Sequence, residues 1–327
     1  MAKTFTDLTR LALNGPTMGT RWSALFHMPP QFDPGPVAAA MAAAVVGVDA
    51  QMSTWKPDSA LMHLNASPPQ VWVDVPRRLK TVLDTALAAG RASGGAFEIA
   101  VGDVVSAWGF GPAVADQVAI GAALGGNRPC ASKVLELDPG SGRVRKHAPL
   151  TLDLSGIAKG YGVDRLAEVS QTFGMTGALA AIDGELRAIG LQPEGAAWTV
   201  AVERPDHAAR EPHAIVALQD AAIATSGDYR HWVDVGKRRL SHTMDPARGA
   251  PLLASPASPA SVTVVAATCM LADAWATALM VLGSATGAEI ARGQGLDALF
   301  LDREGGQFRQ TTVGRLFGSR SIPVHAA

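Results

Sequence analysis

The chain has 327 residues, 48% hydrophobic and 17% charged, with a formal net charge of −1. That size supports one large or two medium globular domains, and the near-neutral balance gives no basic footprint for nucleic acid. Two cysteines, Cys130 and Cys269, with no CxxC spacing, exclude a disulfide framework. The longest apolar run, Val37–Val48, is alanine-rich and too short to cross a bilayer, so no membrane span is expected. Met1–Arg10 lacks the apolar segment of a secretory signal, and no lipobox is seen. As written, this places the chain in the cytoplasm; a longer precursor would place it in the periplasm.

In chain order, Gly15–Phe26 predicts a glycine-containing loop entering a strand. Pro34 and Pro36 open a helix through about Val48, proline being favoured in the first turn. Met52–Asn65 predicts a polar loop turning at Lys56-Pro57-Asp58. A helix follows from Pro76 to Gly90, with Leu79, Leu83, Ala86 and Leu87 on one face. Ser93–Gly111 is too glycine-rich for a plain element and reads as a loop lining a site. Gln117–Leu124 predicts a short helix. Lys133–Asp138 and Arg143–Ala148 flank Pro139-Gly140-Ser141-Gly142, a hairpin signal. Val144–Leu154 ends as a strand entering the core, and the spacing of Ile157, Tyr161, Leu166, Val169 and Phe173 starts a helix near Ser155 or Gly156.

Ala178–Ile182 and Leu186–Ile189 flank the turn Asp183-Gly184-Glu185. Trp198–Glu203, His213–Leu218 and Trp232–Val235 read as strands, and Ser255–Ala260 as a surface insertion. Ser261–Ala267 predicts a strand and Leu271–Leu282 a helix. Thr286 and Glu289 form a capping-box pattern for one more helix, before closing strands at Leu296–Leu301 and Gln307–Thr312. Helices and strands mix without βαβ alternation or internal repeat, so the class is α+β.

The stretch Asp153–Asp164, D-L-S-G-I-A-K-G-Y-G-V-D, organises the chemistry. A helix start offers free N–H groups and partial positive charge, Asp153 a hard anionic oxygen, and Lys159 a full positive charge. Such a corner suits a phosphate ester held with a divalent cation. The plainer alternative is a helix capped by Ser155, with Lys159 in solvent. Three further stretches bear on the choice. Ala224–Arg230 (A-T-S-G-D-Y-R) is a polar, glycine-centred turn after a strand. Ser241–Pro251 (S-H-T-M-D-P-A-R-G-A-P) sets His242 three residues before an Asp-Pro turn; a histidine serves as a base or a phosphate donor, and is also common as a structural residue. In Leu271–Leu279 (L-A-D-A-W-A-T-A-L), Asp273 and Thr277 fall four apart on one helix face. They either offer oxygen to Mg²⁺ or Ca²⁺, or serve the helix itself through its N-terminus and backbone.

Together with M-G-T-R-W, M-S-T-W-K-P-D-S, G-G-A-F-E…W-G-F-G and S-V-T-V-V-A-A, these motifs occur in an order that resembles the FAD:protein FMN transferase (ApbE-like) family, from about Met18 to Gly283. The resemblance implies a two-lobed, T-fold-related α+β domain with FAD bound between the lobes. On it, residues 1–14 are an N-terminal extension, 15–315 the transferase domain and 316–327 a C-terminal tail. The family splits FAD at its pyrophosphate, using Mg²⁺, and moves FMN onto a Thr or Ser hydroxyl of an acceptor flavoprotein. Carried over by motif, Met18, Trp55, Ala96, Phe97, Glu98, Asp153, Lys159 and Thr243 contact FAD. The Gly156 carbonyl, Asp273, the Ala276 carbonyl and Thr277 hold metal. His242 is the candidate base with Asp245 orienting it, and Asp273 is next in line.

Three positions depart from the family pattern: Glu98 stands for Asp after Phe, Ser155 for Gly in D-L-G-G, and Asp183-Gly184-Glu185 for Gly-Gly-Asp. None removes a residue assigned to metal. The rival readings are an FAD pyrophosphatase releasing FMN and AMP, and an FAD-binding or delivery protein without turnover.

Overall fold

The computed structural model describes residues 8–126, 128–230, 232–235, 238–255 and 258–317. Its frame is an eight-stranded sheet: β1 (Thr9–Thr17), β2 (Thr20–Met28), β3 (Ala178–Ile182), β4 (Glu185–Ile189), β5 (Ala222–Gly227), β6 (Pro259–Ala266), β7 (Asp297–Glu304) and β8 (Gln307–Val313). Neighbours in the sheet are neighbours in this order, and every pair is antiparallel. The sheet is therefore a meander, and the rest of the chain is inserted between its strands. The expected α+β class holds, as a mixed helix-and-sheet fold.

Three helices lie on one face: α1 (Gly35–Met52), α2 (Ala158–Thr172) and α3 (Cys269–Gly293). Trp22, Ala24 and Phe26 of β2 alternate onto this face and are buried with Val37, Met41 and Val45 of α1 and Val163 and Leu166 of α2. Val262, Val264 and Phe300 do the same beneath α3. The opposite face, with Leu25, Leu179, Ile223, Val265, Leu299 and Leu301, is covered by a hairpin of Trp198–Glu203 and Pro212–Leu218. A sheet covered on both faces needs apolar residues at both parities. Burying each large side chain contributes about 1.5–3 kcal/mol.

Several elements differ from the sequence reading for local reasons. Gly15–Phe26 is no loop: β1 and β2 pair from Thr9↔Met28 to Thr17↔Thr20, leaving only Met18-Gly19 as the turn. Both turn residues have positive φ, 46° and 72°. The sheet thus takes in Thr9–Asn14, set apart by sequence as an extension; residues 1–7 and 318–327 of the expected termini lie outside the described residues. Met52–Asn65 ends in a helix, Ala60–Ala66, capped by the Ser59 hydroxyl, which accepts from the Met62 N–H at 3.1 Å. Ser93–Gly111 contains the helix Gly102–Ala107. The two helices expected after β6 are both present, joined end to end in α3 and separated at Gly283 (φ 74°), where the backbone is non-helical; Thr286 lies inside the second rather than capping it. Of the expected insertion Ser255–Ala260, residues 256–257 lie outside the described residues, and Pro259 and Ala260 belong to β6.

By length and composition α1 and α3 are apolar enough to cross a membrane, with mean hydropathy 1.3, where the residue run had counted only Val37–Val48. α3 is packed in the core against the sheet, and α1 buries one face there through Val37, Met41 and Val45.

Candidate functional site

The site is built where α2 and α3 begin, side by side. Their approach is set by Gly160: a Cβ there would lie 2.3 Å from the Cys269 carbonyl oxygen and 2.8 Å from the Asp273 Cβ. Only glycine permits that contact. Across it the helices exchange carboxylates. Asp273 of α3 accepts the Gly160 N–H at 2.9 Å, an amide in the first turn of α2 with no partner of its own helix. Asp164 of α2 accepts the N–H groups of Cys269 and Met270, at 2.9 Å each, in the first turn of α3. Both carboxylates are buried.

α2 starts at Ala158, later than expected, with Ile157 as its cap residue and no side-chain cap. Ser155 therefore does not cap it. Instead the Ser155 N–H donates to Asp153 Oδ1 at 2.8 Å, closing a turn ahead of the helix. Asp153 is held from the other side: its N–H donates to the Ile99 carbonyl at 2.8 Å, and the Gly102 N–H donates to the Thr151 carbonyl at 3.0 Å. Asn65, unremarked in the sequence, fixes the same segment by exchanging two hydrogen bonds with the Leu152 backbone. Asp153 is buried, and burial pushes its carboxyl pKa up, partly offset by the Ser155 hydrogen bonds.

This stitching brings the Ala96–Glu98 segment to the corner. A Cβ at Gly156 would lie 3.1 Å from Thr277 Oγ1 and 3.3 Å from the Phe97 ring. Thr277 Oγ1 is 3.3 Å from Ser226 Oγ at the end of β5. So Phe97, Gly156, Ser226 and Thr277 meet, and Asp273 stands one turn back along α3. Ala276 lies buried in the regular helix between them, its carbonyl keeping one lone pair beyond the helical ladder. Thr268, not Asp273, is the α3 cap, accepting from the Leu271 N–H at 3.3 Å. Asp273 points to α2 instead.

Lys159 is not in free solvent. Its Nζ donates to Glu185 Oε1 at 2.8 Å and stands 3.7 Å from Asp183 Oδ2. Burial alone would lower its pKa, but Glu185, Asp273 and Asp183 outweigh burial and raise it. Asp273 is pushed up to about 7 by burial and by Glu185, against the pull of Lys159 and the Gly160 N–H. Glu185, whose side chain is only 4% exposed, keeps Oε2 without a hydrogen-bond partner. The sequence marks Asp183-Gly184-Glu185 as a turn between two strands, as found, and as a departure from the family pattern; nothing local marks its pairing with a lysine 26 positions earlier.

Other predicted residues stand apart from this cluster. Met18, at the β1–β2 turn, reaches α2, where a Cβ on Gly162 would be 3.3 Å from Met18 Cε. The Trp55 ring is exposed. Glu98 spends its carboxylate on backbone amides, accepting from Ala100 at 2.8 Å and from Ala131 at 3.1 and 3.2 Å, and so ties two loops together. His242 and Thr243 lie on Arg238–Asp245, the middle strand of a three-stranded sheet inserted between β5 and β6. Thr243 is buried and His242 exposed. The register of this strand against Ala250–Leu253 shifts between Leu240 and Met244, so both residues sit on an irregularity of the kind that re-aims side chains. Asp245 Oδ1 accepts from the Ala247 and Arg248 N–H groups at 3.0 and 3.2 Å, which gives it a turn-closing role.

Comparison with known proteins places this geometry in context. A family model described as the ApbE family matches residues 18–300. An FAD:protein FMN transferase of Klebsiella pneumoniae is 34% identical over 310 residues, covering 92% of this chain and 87% of the relative. Among solved structures, the flavin transferase ApbE of Vibrio cholerae superposes with a TM-score of 0.81 at 31% identity, covering 94% of this chain and 97% of that one. The apo form of the Pseudomonas stutzeri flavinyl transferase ApbE gives 0.82 at 31%, covering 96% and 98%.

Proposed function

From the premise that the chain belongs to the ApbE family, we infer that it is an enzyme that transfers FMN from FAD to an acceptor protein. FAD is its substrate, and the residue modified is a Thr or Ser hydroxyl of a flavoprotein, with AMP released. FAD lies between two lobes, its pyrophosphate over the paired starts of α2 and α3. One observation carries this reading: Lys159, at the start of α2, stands with the buried Glu185 beside the corner where Gly156, Phe97, Ser226 and Thr277 meet and Asp273 lies one turn away.

The residues fit a small hard cation. Asp273 leaves one oxygen beyond its Gly160 bond, Thr277 Oγ1 borders Gly156, and the donor set is oxygen throughout. Among the described residues no group of three His, Cys, Asp or Glu side chains forms a metal centre; the family motif adds the Gly156 and Ala276 carbonyls to Asp273 and Thr277 as the donors that would hold the ion. Bound Mg²⁺ neutralises charge that builds on the pyrophosphate oxygens.

The chain's own groups do the rest. Lys159 adds a fixed positive charge at the phosphates. The half-buried Met18 and the exposed Trp55 offer surface to the rings of FAD, and Phe97, buried in the core, backs the corner at Gly156. His242, exposed on the irregular strand, accepts the proton of the acceptor hydroxyl.

Incubating the pure protein with FAD, Mg²⁺ and a threonine-bearing acceptor flavoprotein decides among the readings. Covalently flavinylated acceptor is the expected product. Free FMN without flavinylation would make the protein a pyrophosphatase, and unchanged FAD a binding or delivery protein.

A further inference from the structure

The Asp183-Gly184 turn is where this chain parts from the family pattern, and its geometry gives the departure a consequence. β3 and β4 pair at Ile182↔Glu185, so Asp183 and Gly184 alone make the loop. Asp183 takes φ 54°, in the left-handed region that favours glycine and costs most other residues about 1 kcal/mol or more. Its N–H is fixed to the Arg21 carbonyl of β2 at 3.3 Å, so the turn is held in place. The side chain is 46% exposed and sets Oδ2 3.7 Å from Lys159 Nζ.

Glu185 already holds that ammonium with a hydrogen bond of 2.8 Å. Asp183, beyond hydrogen-bond range, pulls on the ammonium through charge alone. With Asp273 also acting on Lys159, three carboxylates face one ammonium, and Glu185 Oε2 is buried among them without a partner. A pyrophosphate arriving without a cation meets an ammonium already paired with Glu185 and faced by Asp183.

We propose that Asp183 is a positioning residue for Lys159 that biases the site against cation-free FAD. Its carboxylate draws the ammonium toward the β3–β4 turn and repels the pyrophosphate until a divalent cation supplies compensating charge. This rests on the reading above that Lys159 faces the FAD pyrophosphate.

The test is FAD binding in EDTA, read by quenching of flavin fluorescence rather than by turnover, with riboflavin as the uncharged control. Asp183→Asn removes the charge and keeps a residue at ease in the left-handed region. It should bind FAD about three- to tenfold more tightly than the wild type, the scale of one partly screened charge, with riboflavin affinity unchanged. The gain should shrink in high salt. Asp183→Gly should show the same gain and keeps the turn if the asparagine variant folds poorly. Lys159→Met separates the two levels. If Lys159→Met weakens FAD binding while both Asp183 variants match the wild type, this proposal fails and the assignment of Lys159 survives. If Lys159→Met leaves FAD binding unchanged, both fail.

Discussion

Asp164 Oδ2 accepts the backbone N–H of Met270 at 2.9 Å, so a carboxylate from one helix closes the first turn of another. Its Oδ1 accepts from Cys269 at 2.9 Å and pairs with Arg187 of β4 at 2.6 Å. One buried side chain therefore joins α2, α3 and the sheet at the point where the site is assembled.

Asp164→Ala should destabilise the protein by about 3 kcal/mol, since it orphans two amides and leaves the partly buried Arg187 without this carboxylate. Chemical denaturation measures it. A loss below about 1 kcal/mol would mean that water replaces the carboxylate without penalty.

Gly160→Ala places a methyl against the Cys269 carbonyl and Asp273. The helices must separate, costing about 1–3 kcal/mol, and the separation moves Asp273 away from its amide. Reduced Mg²⁺ response should accompany the lower melting temperature. A variant with the wild-type melting temperature would show that α2 and α3 are not in contact here.

Asp153 gives a pH signature. Burial raises its carboxyl pKa in the folded state, so the folded protein holds that proton more tightly than the unfolded chain. The stability it contributes is full below the unfolded value near ~4 and is lost as pH rises through the folded value. Asp153→Asn removes that loss. Its thermal midpoint relative to wild type should climb as pH rises from about 4 toward neutrality, while FAD affinity falls. A pH-independent gap between the two proteins would contradict the assignment.

His242→Asn should slow flavin transfer by about 10²–10⁴-fold while FAD affinity stays within a few-fold, the separation expected of a general base. Transfer at the wild-type rate would make His242 structural and turn attention to Asp273.

For the metal, Asp273→Ala should weaken Mg²⁺ dependence by about 100-fold or more, and Thr277→Ala, which removes a neutral ligand, by less. Turnover against Mg²⁺ concentration, with EDTA as zero, gives both numbers. Activity that persists after exhaustive EDTA treatment would sink the assignment.

The sequence alone carried the order of the motifs, most strand positions from Ala178 onward, and the pairing of Asp273 with Thr277 on one face. These are local quantities: side-chain parity along a strand and the 3.6-residue turn of a helix depend on near neighbours in the chain. Local signals also misled where context overrode them. Ser155 looked like a cap but serves the Asp153 turn, and Gly15 looked like a loop but lies in β1. What only the tertiary structure decided is which distant groups share a volume. Gly160 under Asp273, Asp164 on the amides of α3, and Glu185 with Asp183 around Lys159 are separated by about 20 to more than 100 positions. No residue's own neighbourhood encodes such meetings. They follow from a meandering sheet that brings the β3–β4 turn beneath the start of α2, and from a glycine that lets two helices approach within backbone contact.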